Sequence, residues 1–161
     1  MTFNLQGSGE LNTKLDKISS AARKKAQLTA GFYEGAKYED GTYVAQVAFW
    51  NNNGTDEEGE FIPARPFFSE TVRENKGKWS EGYGKRLVKE KWNIHNALAV
   101  TGEKMASDIQ QAINDYSEIP NAAATIEKKG RNAPLKDSYH MMNSVGYSVN
   151  DEPPQYRKTS N

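Results

Sequence analysis

Two histidines, His95 and His140, are the first side chains to weigh for chemistry, because imidazole binds metals and moves protons near neutral pH. His95 sits in Asn93-Ile94-His95-Asn96, and His140 precedes Met141-Met142. Neither has a second histidine or a carboxylate at metal-ligand spacing, so both read as structural or surface residues. Asp56, Glu57, Glu58 and Glu60 carry the oxygen ligands a hard cation wants. Acids so close together in a polar loop read first as solvated. Gly82-Tyr83-Gly84 lacks the preceding strand and the third glycine of a phosphate-binding loop. There is no Gly-x-Ser-x-Gly elbow for a nucleophilic serine. The residue types therefore predict no enzyme, no cofactor and no metal.

The elements that would position a site come next. At 161 residues the chain suits one domain, with 36% hydrophobic and 26% charged residues. That is a modest core for the length, and it fits a fold completed in part by neighbouring subunits. Without cysteine, disulfides and thiolate metal sites are excluded. No signal-like apolar run opens the chain, and the longest mostly apolar stretch, residues 43–50, is too short to span a bilayer. The expected setting is a cytoplasm, with no membrane partner.

In residues 10–26 the apolar positions Leu11, Leu15, Ile18 and Ala22 have the spacing of one helix face, with Ser8 as N-cap and Lys24 and Lys25 in the last turn. Residues 27–36 and 42–50 are rich in β-branched and aromatic types, and Glu39-Asp40-Gly41 lies between them, which predicts a β-hairpin. Residues 51–60 read as a polar, acidic loop. Pro63 and Pro66 then hold the chain extended, and Pro66 can open a helix. Helix is predicted over 66–116, bent near Gly77, Gly82 and Gly84. Its later part carries Ile94, Leu98, Thr101, Met105, Ile109, Ala112 and Tyr116 on one face. Gly102 within it either weakens the helix or admits a close neighbour. A short helix at 121–129, a loop at 130–136, a helical turn at 137–143 and a strand at 144–149 complete one domain over 1–149. Residues 150–161, with Pro153-Pro154, Arg157 and Lys158, read as a flexible tail. The fold class predicted is α+β: an N-terminal helix, a small antiparallel sheet built on the hairpin, long packed helices and a final strand.

Charge is balanced overall, with 21 Lys+Arg against 21 Asp+Glu, but not locally. Residues 34–60 hold seven acids and one base, Lys37. Residues 73–91 hold seven bases (Arg73, Lys76, Lys78, Lys85, Arg86, Lys89 and Lys91) and three acids. Such a molecule can set its acidic part against the basic part of a second copy, and a repeated head-to-tail contact closes a ring when the rotation permits. Trp79, Tyr83 and Trp92 interleave the basic stretch, as in a single-strand nucleic-acid surface. The neutral total argues against that reading, and helix packing accounts for the rings equally well.

Three segments resemble the neck, or minor tail-component, proteins of long-tailed bacteriophages. Residues 38–48 are similar to the family's Y-x-D-G-T-x-V-A-x-V-A. This chain then has Asn51-Asn52-Asn53-Gly54 where the family has an Asn-Glu-Phe-Gly-like motif. Ile62-Pro63-Ala64-Arg65-Pro66-Phe67-Phe68 looks like the family's I-P-x-R-P-F-F hinge, the most specific of the three. Thr125-Ile126 through Lys129-Gly130, then Pro134-Leu135-x-Asp137-Ser138 and Met142-x-x-Ser144-Val145, resemble its closing motif, with Ser138-Tyr139 in place of Thr-Gly.

The resemblance implies a structural virion protein at the head–tail junction. It would be a homo-oligomeric ring, six copies by analogy with tail symmetry, that meets the head-closure or connector proteins on one side. The tail terminator or tail tube would lie on the other. Assembly takes place in the host cytoplasm, and genomic DNA passing the channel would be touched non-specifically. The interface and hinge candidates are Pro63, Arg65, Pro66, Phe67, Phe68, the acids at 56–60, the six basic residues from Arg73 to Lys89, Lys129, Pro134 and Leu135. Arg65, stiffly held between prolines, can bond carbonyls or a neighbour's carboxylate. Two alternatives stand beside this: a tail-completion or terminator protein capping the tail tube, and a DNA-binding protein using residues 73–91.

Overall fold

The computed structural model describes residues 8–23, 25–55, 61–121, 123–130, 132–136 and 139–156. The order is α1 (Ser8–Arg23), β1 (Leu28–Phe32), α2 (Val44–Asn53), α3 (Phe67–Lys89), α4 (Ile94–Asp115), α5 (Ala123–Lys129), α6 (His140–Asn143), β2 (Val145–Val149) and β3 (Gln155–Tyr156). This is α+β. The sheet has the order β1-β2-β3, with both pairings antiparallel and Leu28 opposite Val149.

Helix α4 is the centre of the molecule. It packs against α3 on one side and against β1 and β2 on the other. Ala97, Thr101, Gly102, Ala106, Ile109, Gln110 and Ile113 are its buried residues. The buried stripe is thus turned from the predicted one. Small residues, weak in hydropathy, occupy its middle because the sheet comes close there. A Cβ at Gly102 would lie 2.5 Å from the Tyr147 ring and 2.7 Å from Leu28 Cδ1. The close neighbour that Gly102 admits is the sheet's side chains. Val44 and Ala48 from α2, Phe67 from α3, Met141 and Met142 from α6 and Val145 from β2 close the core around Ile109 and Ile113.

Three further expectations change. Residues 42–50 form helix α2, not the second strand of a hairpin. Their apolar residues fill both faces of any strand, and so short an apolar run does not separate strand from helix by period. What decides is tertiary: Val44 and Ala48, four apart, both reach the core. The Asp-Gly turn is still made. Asp40 Oδ1 accepts from Thr42 N at 2.9 Å, and Gly41 takes φ 87°. That bond holds the Asp40 carboxyl below its usual range. Of the hairpin only the single bridge between Lys37 and Tyr43 remains, and β1 pairs instead with β2.

The long helical region is not interrupted at Gly77, Gly82 or Gly84. Helix α3 runs through all three, and packing along α4 outweighs roughly 1 kcal/mol of lost propensity at each. The break falls at 90–93, where Lys91 and Trp92 take positive φ (52° and 67°). Asn93 Oδ1 then accepts from Asn96 N as the N-cap of α4. Finally, the segment expected as a flexible tail carries, as far as Tyr156, a turn and β3 on the outer edge of β2. Arg157 and Lys158 lie outside the described residues, as does Lys24.

Candidate subunit interface

The hinge motif comes first because it is the most specific of the sequence signals. Arg65 is 6% exposed, and its guanidinium is consumed within its own chain. Nε donates to Ile119 O at 3.3 Å, Nη2 to Pro120 O at 3.1 Å and Nη1 to Asn51 Oδ1 at 3.2 Å. Both carbonyls belong to the segment that follows α4. Burial pushes the guanidinium below its ordinary value, with the Tyr116 hydroxyl acting the other way. Among the described residues no carboxylate bonds Arg65. Of its two expected uses, carbonyl binding is the one observed.

Pro66 sits at the N-cap of α3, so the proline does open the helix. Phe67 enters the core, and Phe68 lies against Gly31 of β1. Both rings meet Phe32, with centroids 6.4 Å away in each case. The free N–H groups of the first turn of α3 are satisfied from another element. Asn52 Oδ1, in the last turn of α2, accepts from Phe68 N and Ser69 N, each at 3.1 Å. Asn51 O accepts from Arg65 N at 2.6 Å. Gly54 completes the crossing at φ 78°, where a Cβ would lie 2.9 Å from Ala64 N and Ile62 O. The asparagine run that departs from the family's motif is therefore a staple between α2 and α3, which its polar composition did not announce.

The outward-facing side chains are elsewhere. In α1 the predicted apolar stripe exists, and none of the described residues covers its first part: Leu11 is 58% and Leu15 52% exposed, with Ile18 at 36%. Among the described side chains of α1 only Ala21, near the helix's end, is buried, and that of Ala22 lies outside them. Ala21 sits with Ile18 beside Tyr83, Leu87, Trp92 and Ile94, where α3 turns into α4. Fully burying one Leu or Ile is worth about 1.5–3 kcal/mol, so a stripe left bare is a standing drive to associate. A second apolar feature lies between β1 and α2. Gly31, Phe32, Ala45, Ala48, Phe49 and Phe68 line a cleft of about 330 Å³, and Phe49 on its rim is 65% exposed. Tyr33 also lines it, and burial raises its hydroxyl above the ordinary tyrosine range.

The basic residues of α3 divide rather than form one patch. At 3.6 residues per turn, Lys78, Lys85 and Lys89 fall on one flank of the buried stripe, and Arg73 and Lys76 on the other. Arg73 is within 4 Å of Glu70 and Glu74, and Lys85 Nζ is 2.6 Å from Glu81. Arg86 is half-buried, with Nη1 over Gly82. Trp79 is in the core, its Nε1 donating to Asp108 Oδ2 of α4 at 2.8 Å.

The closing motif builds turns. Lys129 ends α5, Gly130 follows at φ 68°, Pro134 is buried, and Leu135 packs against the core at φ 61°. The acids Asp56, Glu57, Glu58 and Glu60, and Asp137 and Ser138, lie outside the described residues. His140 Nε2 is 2.9 Å from Lys37 O with its ring against Tyr38, and His95 Nε2 is 2.9 Å from Glu152. Among the described residues no three His, Asp or Glu converge as metal ligands, and no helix is long and apolar enough to cross a membrane. Compared with family models, with curated proteins and with solved structures, the chain has no match.

Proposed function

We propose that this protein is a structural subunit of a bacteriophage neck. It would join the DNA-filled head to the tail by binding preformed surfaces, with no chemistry of its own. The observation that carries the reading is the uncovered apolar stripe of α1, together with the apolar cleft between β1 and α2. A chain with 36% hydrophobic residues that leaves Leu11, Leu15 and Phe49 in water has contacts still to make. The motif resemblance supplies the setting: a ring of copies around the DNA channel, between the head-closure proteins and the tail. The DNA-binding alternative has less to stand on. Its stacking platform would need Trp79, which is buried against α4.

The test is electron microscopy of lysates from a phage carrying an early stop codon in this gene. Full heads beside separate tails of finished length are expected. Tails of irregular or excessive length would transfer the assignment to tail completion. Intact infectious particles would end it.

A further inference from the structure

We propose that the pocket where α1, the α3–α4 turn and the turn after β2 meet binds a small phosphorylated ligand with a planar, apolar body, of the class of a nucleoside monophosphate. This is a property of one purified copy and does not depend on the neck reading.

The pocket has a volume of about 430 Å³, and lysines from three separate segments converge on it: Lys17 from α1, Lys25 from the link to β1 and Lys91 from the turn before α4. All three are exposed, and among the described residues none is in an ion pair. Asn93 and Asn150 add neutral hydrogen-bonding groups, and among the described residues no acid lines the pocket. Asp16, Glu90 and Asp151 adjoin lining residues in sequence without lining it themselves. His95, on the rim, is bonded to Glu152 at 2.9 Å. The charge left facing the pocket is that of three ammonium groups, and lysine serves phosphate as a point charge.

The other end is apolar. A recess of about 280 Å³, lined by Ile18, Tyr83, Leu87 and Trp92, shares Ala21 and Trp92 with the pocket. A bare anion would use only the lysine end. A ligand that uses both ends carries beside its phosphate a flat body that can lie against the half-buried Trp92.

The backbone points the same way. Helix α3 closes in a Schellman turn, with Trp92 N donating to Leu87 O at 2.8 Å and Lys91 N to Val88 O at 3.1 Å. Lys91 takes the left-handed position (φ 52°) that glycine usually fills, and Trp92 follows it at φ 67°. Folding alone would favour glycine at Lys91. The lysine strains the turn and sets an ammonium on the pocket, and strain of this kind collects at ligand sites.

Isothermal titration calorimetry of the purified protein tests this, with adenosine monophosphate as the probe. The probe should bind about tenfold tighter than adenosine or inorganic phosphate, because each of these lacks one half of the match. Lys25→Ala should weaken the probe roughly tenfold, the worth of one charge-assisted bond. Lys76→Ala, exposed on α3 and not in the pocket, should leave affinity unchanged. Lys91→Gly separates binding from folding: affinity should fall roughly tenfold while the melting temperature holds or rises, since glycine relieves the turn. A short oligothymidylate without terminal phosphates should not displace the probe. Absence of probe binding would overturn the proposal, as would equal affinity for the probe and either fragment. So would a Lys91→Gly variant that binds like the parent or melts below it. Displacement by the oligonucleotide would overturn it too, by marking a track for a nucleic-acid strand.

Discussion

The hinge around Arg65 was read from sequence as a contact surface and the N-terminal helix only as an amphipathic helix, and the fold treats them in opposite ways. At the hinge every strong group is used internally: three guanidinium bonds, Asn52 over the start of α3, and Phe67 in the core. In α1 the apolar residues that would have been assigned to the core stand in water. A specific motif can record what a fold needs to close, whereas an ordinary amphipathic helix can be the part that faces a partner.

Substitutions can break or sharpen that contrast. Arg65→Met should have the largest effect on stability. It removes the three hydrogen bonds of a buried guanidinium to Asn51, the half-buried Ile119 and the exposed Pro120, which should cost about 2 kcal/mol in chemical denaturation. An unchanged denaturation midpoint would return Arg65 to the list of contact residues. Asn52→Ala should follow at about 1 kcal/mol, the usual worth of an N-cap, here supplied from another helix. If hydrogen exchange at Phe68 and Ser69 is no faster in that variant, the staple is not what orders the start of α3. Leu15→Ser should be the mildest, within about 0.5 kcal/mol of the parent, because the side chain is half exposed. The same variant should fail to complement the stop-codon phage, and normal complementation would remove α1 from the interface.

Much of this division could be seen in the sequence, and the parts that could not have definite causes. The period of Leu11, Leu15 and Ile18 gave α1 correctly, but a periodic stripe does not say whose core it faces. Residues 144–149 read as a strand because they alternate, and β2 is there. Residues 42–50 were misread because Val, Ala, Phe and Trp serve a short buried helix as well as a strand. The bend assigned to three glycines appeared instead at Lys91 and Trp92, where connection geometry forces positive φ on residues that do not favour it. The role of Asn52 is not local at all. It depends on where α3 begins, seventeen residues beyond Asn52 at Ser69 Oγ and sixteen at Phe68 N.

The pairing of β1 with β2 sets an order of events on the ribosome. Leu28 waits for Val149, so the sheet cannot begin to form until nearly the whole described chain has been synthesised. The α3–α4 pair, joined by a tight turn, can assemble long before that. During synthesis β1 has no strand to pair with, and its edge and the apolar side of α4 that the sheet later covers are open together. The chain is then most exposed to mispairing with its neighbours while it is still being translated.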